Sequence, residues 1–196
     1  MSIALRCRCG QVQGEVDTDR TYARATCYCK DCQAYARFLG TPGITDAQGG
    51  SDILAMAPAG VRFASGLDQV ACMALSEKGI LRWYAACCRT PLGNTARGAK
   101  VPYVGMSTAC FAATQDAVDA AVGPRNRIIL NSGSATGQVR KTPLTFVTGG
   151  MRILANIIVR RLRGEGGAPF FDASSGQPLR TPEVLSAAQR EALGAH

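Results

Sequence analysis

Cys7-Arg8-Cys9-Gly10-Gln11-Val12-Gln13-Gly14-Glu15-Val16 places two sulfurs one residue apart, directly in front of an alternating strand. Val12, Gly14 and Val16 fall on one face and Gln11, Gln13 and Glu15 on the other, the period of two that a half-buried strand requires. The two cysteines converge in a tight turn, and Gly10 can take up the positive φ that other residues resist. Turns of this form deliver ligands to a metal two at a time. The stretch therefore predicts a β-domain stitched together by cysteines.

Reading outward, the first half continues as short strands separated by Gly, Pro, Asp and Asn turns, at Ile3–Arg6, Gln11–Val16, Ile53–Met56, Val61–Phe63, Gln69–Leu75, Leu81–Ala85 and Tyr103–Met106. One short helix, from about Asp31 to Phe38, stops at Gly40. Beyond Ser107 the character changes. Thr108–Val122 is alanine-rich and helix-compatible up to Gly123-Pro124, Arg127–Asn131 suits a strand, and Ser132–Gly137 is a loop of small residues. Thr142-Pro143 carries the start signal of a helix that runs to Arg163 before Gly164. Thr181-Pro182-Glu183 repeats that signal for a last helix ending near Leu193, with Pro169-Phe170-Phe171-Asp172 between as an apolar anchor. The expected fold is mainly β, built of antiparallel sheets, with an α-helical C-terminal extension, α+β overall. Residues 1–107 form the β-domain and 108–196 the mainly helical extension packed on it.

The 196 residues suffice for one domain, or one domain with an extension, and the composition is that of an ordinary soluble protein. Met1 to Leu5 reaches a cysteine pair too soon for a secretory apolar region, so a cytoplasmic location is expected, where clustered thiols bind metal or do chemistry more often than they form disulfides. The formal charge of +8 raises nucleic acid. Dispersed basic residues, sparse aromatics and the negative charge of metal-bound thiolates argue against it. In the 143–163 helix, Gly149, Gly150, Arg152 and Asn156 interrupt every uncharged run well short of the ~20 residues a membrane span needs. Phe146, Ile153, Ile157 and Leu162 read instead as packing positions, in the core or in a homodimer.

Seven of the nine cysteines lie in three tight groups, while the only histidine is the terminal His196. Acid–base chemistry through a packed imidazole is thereby disfavoured. Cys27-Tyr28-Cys29-Lys30-Asp31-Cys32 offers three sulfurs from one corner. Three protein ligands leave a fourth position for water or substrate, the pattern of a catalytic zinc. The competing readings are an iron–sulfur cluster with a remote cysteine and a metal-free redox thiol group. Cys7 and Cys9 need a second, distant turn to close a site. Trp83–Leu92 supplies the candidate in Cys87 and Cys88, unless these are simply buried small residues. Cys72 and Cys110 stand alone in apolar surroundings and are assigned to the core.

In order, C-x-C-G, then C-x-C-x-x-C, then a strand leading into C-x-T-P-L, the chain resembles the glutathione-dependent formaldehyde-activating enzymes, over Leu5–Val16, Thr26–Ala34 and Phe63–Asn94. The resemblance covers roughly the first half of the chain. It implies a β-tent fold shared with Mss4-like zinc proteins and two Zn2+ sites per chain. Cys7 and Cys9 correspond to ligands of a structural zinc, and Cys27, Cys29 and Cys32 to those of a catalytic one. The activity implied is condensation of formaldehyde with glutathione, a carbon–sulfur lyase in reverse. The family closes its structural site with C-x-x-C-G-T, whereas here Ala85 replaces the first of those cysteines and Arg89 the glycine. Cys88 matches the second cysteine, Cys87 is an added neighbour, and Tyr28 stands where histidine is common. Lys30 or Arg37 would offset the charge of three thiolates and attract an anionic thiol such as glutathione. The rival functional readings are a non-catalytic zinc-stabilised binding module and a thiol or metal sensor.

Overall fold

In the computed structural model, which describes residues 1–195, the first cysteine turn joins β1 (Ser2–Arg6) to β2 (Gln13–Asp17). The two strands pair antiparallel, Ile3 opposite Val16 and Leu5 opposite Gly14. β5 (Val61–Ser65) adds to β2 and completes a three-stranded sheet in the order β1-β2-β5. Gly14 is demanded at this pairing, because a Cβ there would collide with the Arg62 carbonyl of β5. His196 lies outside the described residues.

The larger sheet has eight strands in the order β10-β3-β4-β9-β8-β7-β6-β11. Its central members are β3 (Thr21–Cys27), β4 (Ser51–Met56), β6 (Val70–Ala74), β7 (Leu81–Ala85), β8 (Thr90–Thr95) and β9 (Val104–Ser107), each antiparallel to its neighbour. Two short strands from the C-terminal half, β10 (Ile129–Leu130) and β11 (Glu183–Val184), pair parallel to β3 and β6 and cover the sheet's two edges. The fold is α+β and mainly β. Leu5, Val16, Leu54, Met56, Trp83, Leu92, Met106 and Phe170 form the main core between the sheets, joined by Cys72 and Cys110. Trp83 is fully buried and donates its indole N–H to Thr95 Oγ1 at 3.0 Å, which settles the one polar atom that its burial would otherwise strand.

The opposite face of the large sheet is covered as well. Helix α1 (Lys30–Leu39) lays Ala34, Tyr35 and Leu39 against Met73, Leu75 and Tyr84, and ends on Gly40 in the left-handed region. Helix α2 (Gln115–Val122) is tied down by Arg24 of β3. That buried guanidinium holds Asp52 through Nε and Nη2 and reaches Asp119 of α2 at 2.7 Å through Nη1. Helix α3 (Pro143–Leu162) rests on Tyr22, Ala55 and Ala57 through Ile153 and Ile157.

Several expectations shift. β3 and β8 escape a search for alternating apolar residues. β3 contains the paired Arg24 and a buried Thr26, and β8 contains Pro91, which sits beside a register shift opposite Trp83 and Tyr84. Thr108 does not open a helix: Thr108–Cys110 is a single 3-10 turn, and α2 starts only after Thr114, whose hydroxyl accepts from Ala117 N–H. Thr142 precedes α3 without capping it, because its hydroxyl accepts from Ile129 N–H instead. Thr181-Pro182-Glu183 opens a strand rather than a helix, since Leu185 is buried and its N–H follows the sheet to Ala74 O. The last helix, α4 (Ala187–Ala192), begins at Ser186, which forms a reciprocal capping box with Gln189. Phe146 and Leu162 of α3 face outward, and Gly149 is the only buried residue of that helix.

Candidate metal centres

The first turn and the β7–β8 turn converge at one end of the molecule. Cys7 N–H bonds to Val12 O and Gly10 N–H to Cys7 O, with Gly10 at φ 80°. Val12 N–H also points at Cys7 Sγ, 3.2 Å away. Across from it, Arg89 N–H returns to Ala85 O at 2.8 Å, which folds Ala86, Cys87 and Cys88 into a tight reversal. Arg89 itself has φ 55°, the conformation for which a glycine is the usual choice. It is held there by Nη1, which donates to Phe38 O, and by stacking of its guanidinium over the Phe38 ring. Adjacent cysteines can then aim at one point because the backbone reverses directly after them.

The Sγ atoms of Cys7, Cys9, Cys87 and Cys88 all lie within 4.8 Å of one another. Cys7–Cys9 is 3.5 Å, Cys9–Cys87 3.3 Å, Cys7–Cys87 3.9 Å and Cys87–Cys88 3.9 Å. A tetrahedron of thiolates at a zinc–sulfur length of 2.3 Å has edges of about 3.8 Å, so the group fits a metal ion. Ala85 is not a gap in this set, because it is fully buried in β7 and the four sulfurs converge without it. Burial pushes the thiols of Cys7 and Cys87 up. At Cys88 burial acts in the same sense, but hydrogen bonds with Thr90 Oγ1 and the Cys9 backbone outweigh it and bring the thiol down to about 6.

The second group sits where β3 runs into α1. Cys27 ends the strand, Cys29 is the N-cap of the helix with Sγ accepting from Cys32 N–H at 3.3 Å, and Cys32 lies in the first turn. Their sulfurs also lie within 4.8 Å of one another, with Cys27 and Cys32 buried and Cys29 half-buried. Hydrogen bonding from Cys29 and Cys32 holds Cys27 well below the ordinary thiol range, while the same sharing pushes Cys29 and Cys32 up. Three thiols this close cannot all ionise without a cation, and a bound metal would make thiolates of all three.

Two residues not singled out from the sequence complete the surroundings. Asn131, in the left-handed conformation after β10, points its Nδ2 at Cys27 Sγ, 3.6 Å away. The loop that carries it is fixed through Gln33 Nε2, which bridges Tyr28 O and Ser134 O. Arg82 of β7 is 2% exposed, and its charge only partly opposes the sulfur sharing and burial that push the Cys32 thiol up. Its guanidinium lies over the Tyr35 ring and 3.8 Å from Asp31, and its Nε has no hydrogen-bond partner. A buried cation without a full set of partners, close to a group of three sulfurs, suits the charge of an anionic metal–thiolate centre. A cavity of ≈ 20 Å³, room for one small group, is lined by Cys32, Tyr35, Arg82, Asn94 and Ser107. Lys30 is exposed at the first helical position of α1, and Arg37 is exposed and donates its Nε–H to Leu193 O. Tyr28 is buried with its hydroxyl on Asp46.

A family of unknown function, DUF6151, matches residues 1–152, more than three-quarters of the chain and both cysteine groups. The chain belongs to this family. Comparison with curated proteins gives no match. In this DUF6151 protein both groups could hold a metal ion, and every one of the nine cysteines is a free thiol rather than half of a disulfide. The spacing C-x-C-x-x-C marked the second group directly. Arg82 carried no comparable signal, because a lone arginine in an apolar strand looks like an edge residue until the sheet is found to be covered on both faces.

Proposed function

We propose that this chain is a zinc protein with one structural and one open site, the open site acting on an adduct between a small thiol and an aldehyde. Cys7, Cys9, Cys87 and Cys88 would hold the structural ion, and Cys27, Cys29 and Cys32 the other. The observation that carries the reading is the three-sulfur group, with no fourth protein sulfur in it, beside a one-group cavity and the unpaired Nε of Arg82. A bound zinc would supply a Lewis acid and keep its ligands as thiolates.

What the chain's own residues do follows from their chemistry. Asn131 orients Cys27, and Arg82 offsets the negative charge of the thiolates and favours an anionic substrate group near Cys32. The cavity excludes all but a small carbonyl or hydroxyl carbon. In a hydroxymethyl thioether the carbon–sulfur bond breaks, the hydroxyl proton passes to sulfur, and a thiol and formaldehyde separate; condensation is the reverse. Glutathione is the thiol suggested by the resemblance of the cysteine motifs to glutathione-dependent formaldehyde-activating enzymes. Exchange NMR on zinc-loaded protein with glutathione and formaldehyde tests this, and the expected result is accelerated interconversion that Cys29→Ser abolishes. Unchanged exchange together with no glutathione binding would refute the lyase reading. The fully closed four-sulfur group also supports a second reading, in which both sites only stabilise a binding module.

A further inference from the structure

Helix α3 displays an apolar surface on the side turned away from the protein. Leu144 is 81% exposed, Met151 67%, Leu154 59% and Leu162 82%, with Val147, Ile158 and Val159 also exposed. At 100° per residue these side chains, with Ala155, fall in one arc of about 140°, opposite Gly149, Ile153 and Ile157, which face the sheet. Arg152 and Arg163 flank the arc on one edge and Arg161 on the other. Soluble proteins seldom leave so continuous an apolar stripe uncovered unless something binds it.

The charge distribution identifies what binds. Residues 120–164 hold eight basic side chains and no acidic one, and the remaining 14 basic and 14 acidic residues of the chain cancel. The whole net charge of +8 therefore resides on α3 and the segment leading into it. Arg140 and Lys141 stand at the N-terminal end of the helix and Arg161 and Arg163 at its C-terminal end. Of the eight, Arg160 is paired with Glu165 at 2.9 Å and Arg125 with Asp46 at 3.7 Å. A second copy of the helix would set arginines against arginines and lysine with no acid to separate them, a repulsion that interfaces avoid. Nucleic acid would satisfy the arginines and leave the apolar stripe in water. An anionic phospholipid surface satisfies both at once.

We propose that α3 is an interfacial helix that seats the protein on an anionic bilayer. Its apolar arc enters the boundary between headgroups and acyl chains, and Arg140, Lys141, Arg152, Arg161 and Arg163 meet the lipid phosphates. Among the described residues no helix is long and apolar enough to cross a membrane, so the helix lies along the surface. Ile153 and Ile157 keep its other side on the sheet, so docking needs no refolding.

Co-sedimentation of the full-length, metal-loaded protein with vesicles tests the proposal. Vesicles of phosphatidylcholine with phosphatidylglycerol should carry the protein down, and vesicles of phosphatidylcholine alone should not. High salt should weaken the binding, and each Arg→Gln change among Arg152, Arg161 and Arg163 should reduce partitioning about five-fold. Met151→Glu with Leu154→Glu should abolish it, and because both side chains are exposed the thermal melt of the variant should match the wild type. Absence of binding to the anionic vesicles, or equal binding to both kinds, overturns the proposal. So does a wild-type dimer in sedimentation velocity that M151E/L154E converts to monomer, because a second copy would then cover the stripe.

Discussion

Arg82→Met should affect the metal-free and metal-loaded proteins in different ways. The guanidinium is 2% exposed, and its Nε has no hydrogen-bond partner. Its one carboxylate neighbour, Asp31, stands 3.8 Å away with a half-exposed side chain. In the metal-free protein this is a buried cation with weak compensation, and replacing such a group with an apolar residue of similar volume is commonly neutral or stabilising by ~1 kcal/mol or more. In the loaded protein three thiolates on a divalent ion leave a net negative charge, and Arg82 is the buried cation whose charge acts on Cys32. Removing one member of a buried charge pair costs about 3–5 kcal/mol. With half-buried Cys29 letting water share the charge, the lower end, about 3 kcal/mol, is the expected loss. Linkage turns the difference between the two forms, about 3–4 kcal/mol, into a zinc affinity about 100- to 1,000-fold weaker, since each 1.4 kcal/mol is tenfold. The assay is urea unfolding of both forms, paired with chelator competition for the second zinc. Equal destabilisation of the two forms, or an unchanged affinity, would refute the charge-balancing role.

Three further outcomes follow from other parts of the structure. Ala85→Cys, which restores the spacing C-x-x-C, should add no metal and should cost about 1–3 kcal/mol in urea unfolding, because Ala85 is fully buried and an added sulfur would overpack the core. Gly14→Ala should destabilise by a similar margin, about 1–3 kcal/mol, as the new methyl drives β2 from the Arg62 carbonyl, and hydrogen exchange should show β5 protection falling first. Asp119 is held below the ordinary carboxylate range by hydrogen bonds, first from Arg24 and then from Gln115. Its contribution is therefore complete above the unfolded carboxylate value and lost as pH falls through the folded one. The stability difference between wild type and Asp119→Asn should be full at neutral pH, begin to shrink near the unfolded carboxylate value of about 4, and vanish only at pH below the depressed folded value, as read from urea unfolding across that acid range.

The legible parts of this fold were those with a strict local rule. The cysteine turn at Cys7–Gly10, the strands with clean alternation and the α1 stop at Gly40 all follow from two or three neighbouring residues. β3 and β8 did not, because their burial is set by partners far away in the chain: Asp52 and Asp119 for Arg24, and the register shift opposite Trp83 for Pro91. The capping signals at Thr142 and Thr181 were correct in type but were spent elsewhere, one on Ile129 and the other overridden by the pairing of Glu183 and Val184 with β6. At the candidate centres, ligand identity lay in the spacing of the sulfurs. Their second neighbours did not, since Arg82 and Asn131 arrive from strands and loops 50 or more residues from Cys32. Lys30 and Arg37, chosen for closeness in sequence, lie on the exposed side of α1.

The seven clustered cysteines form two groups that could each hold a metal ion, and the proposed function requires both to bind zinc, one closed and one open. Metal analysis of the purified protein, combined with zinc X-ray absorption of the Cys9→Ser and Cys29→Ser variants, addresses it directly. About two zinc ions per chain are expected, with C9S retaining a site of three sulfurs and one lighter atom and C29S retaining one of four sulfurs. A single ion per chain, or an identical all-sulfur spectrum from both variants, would contradict it.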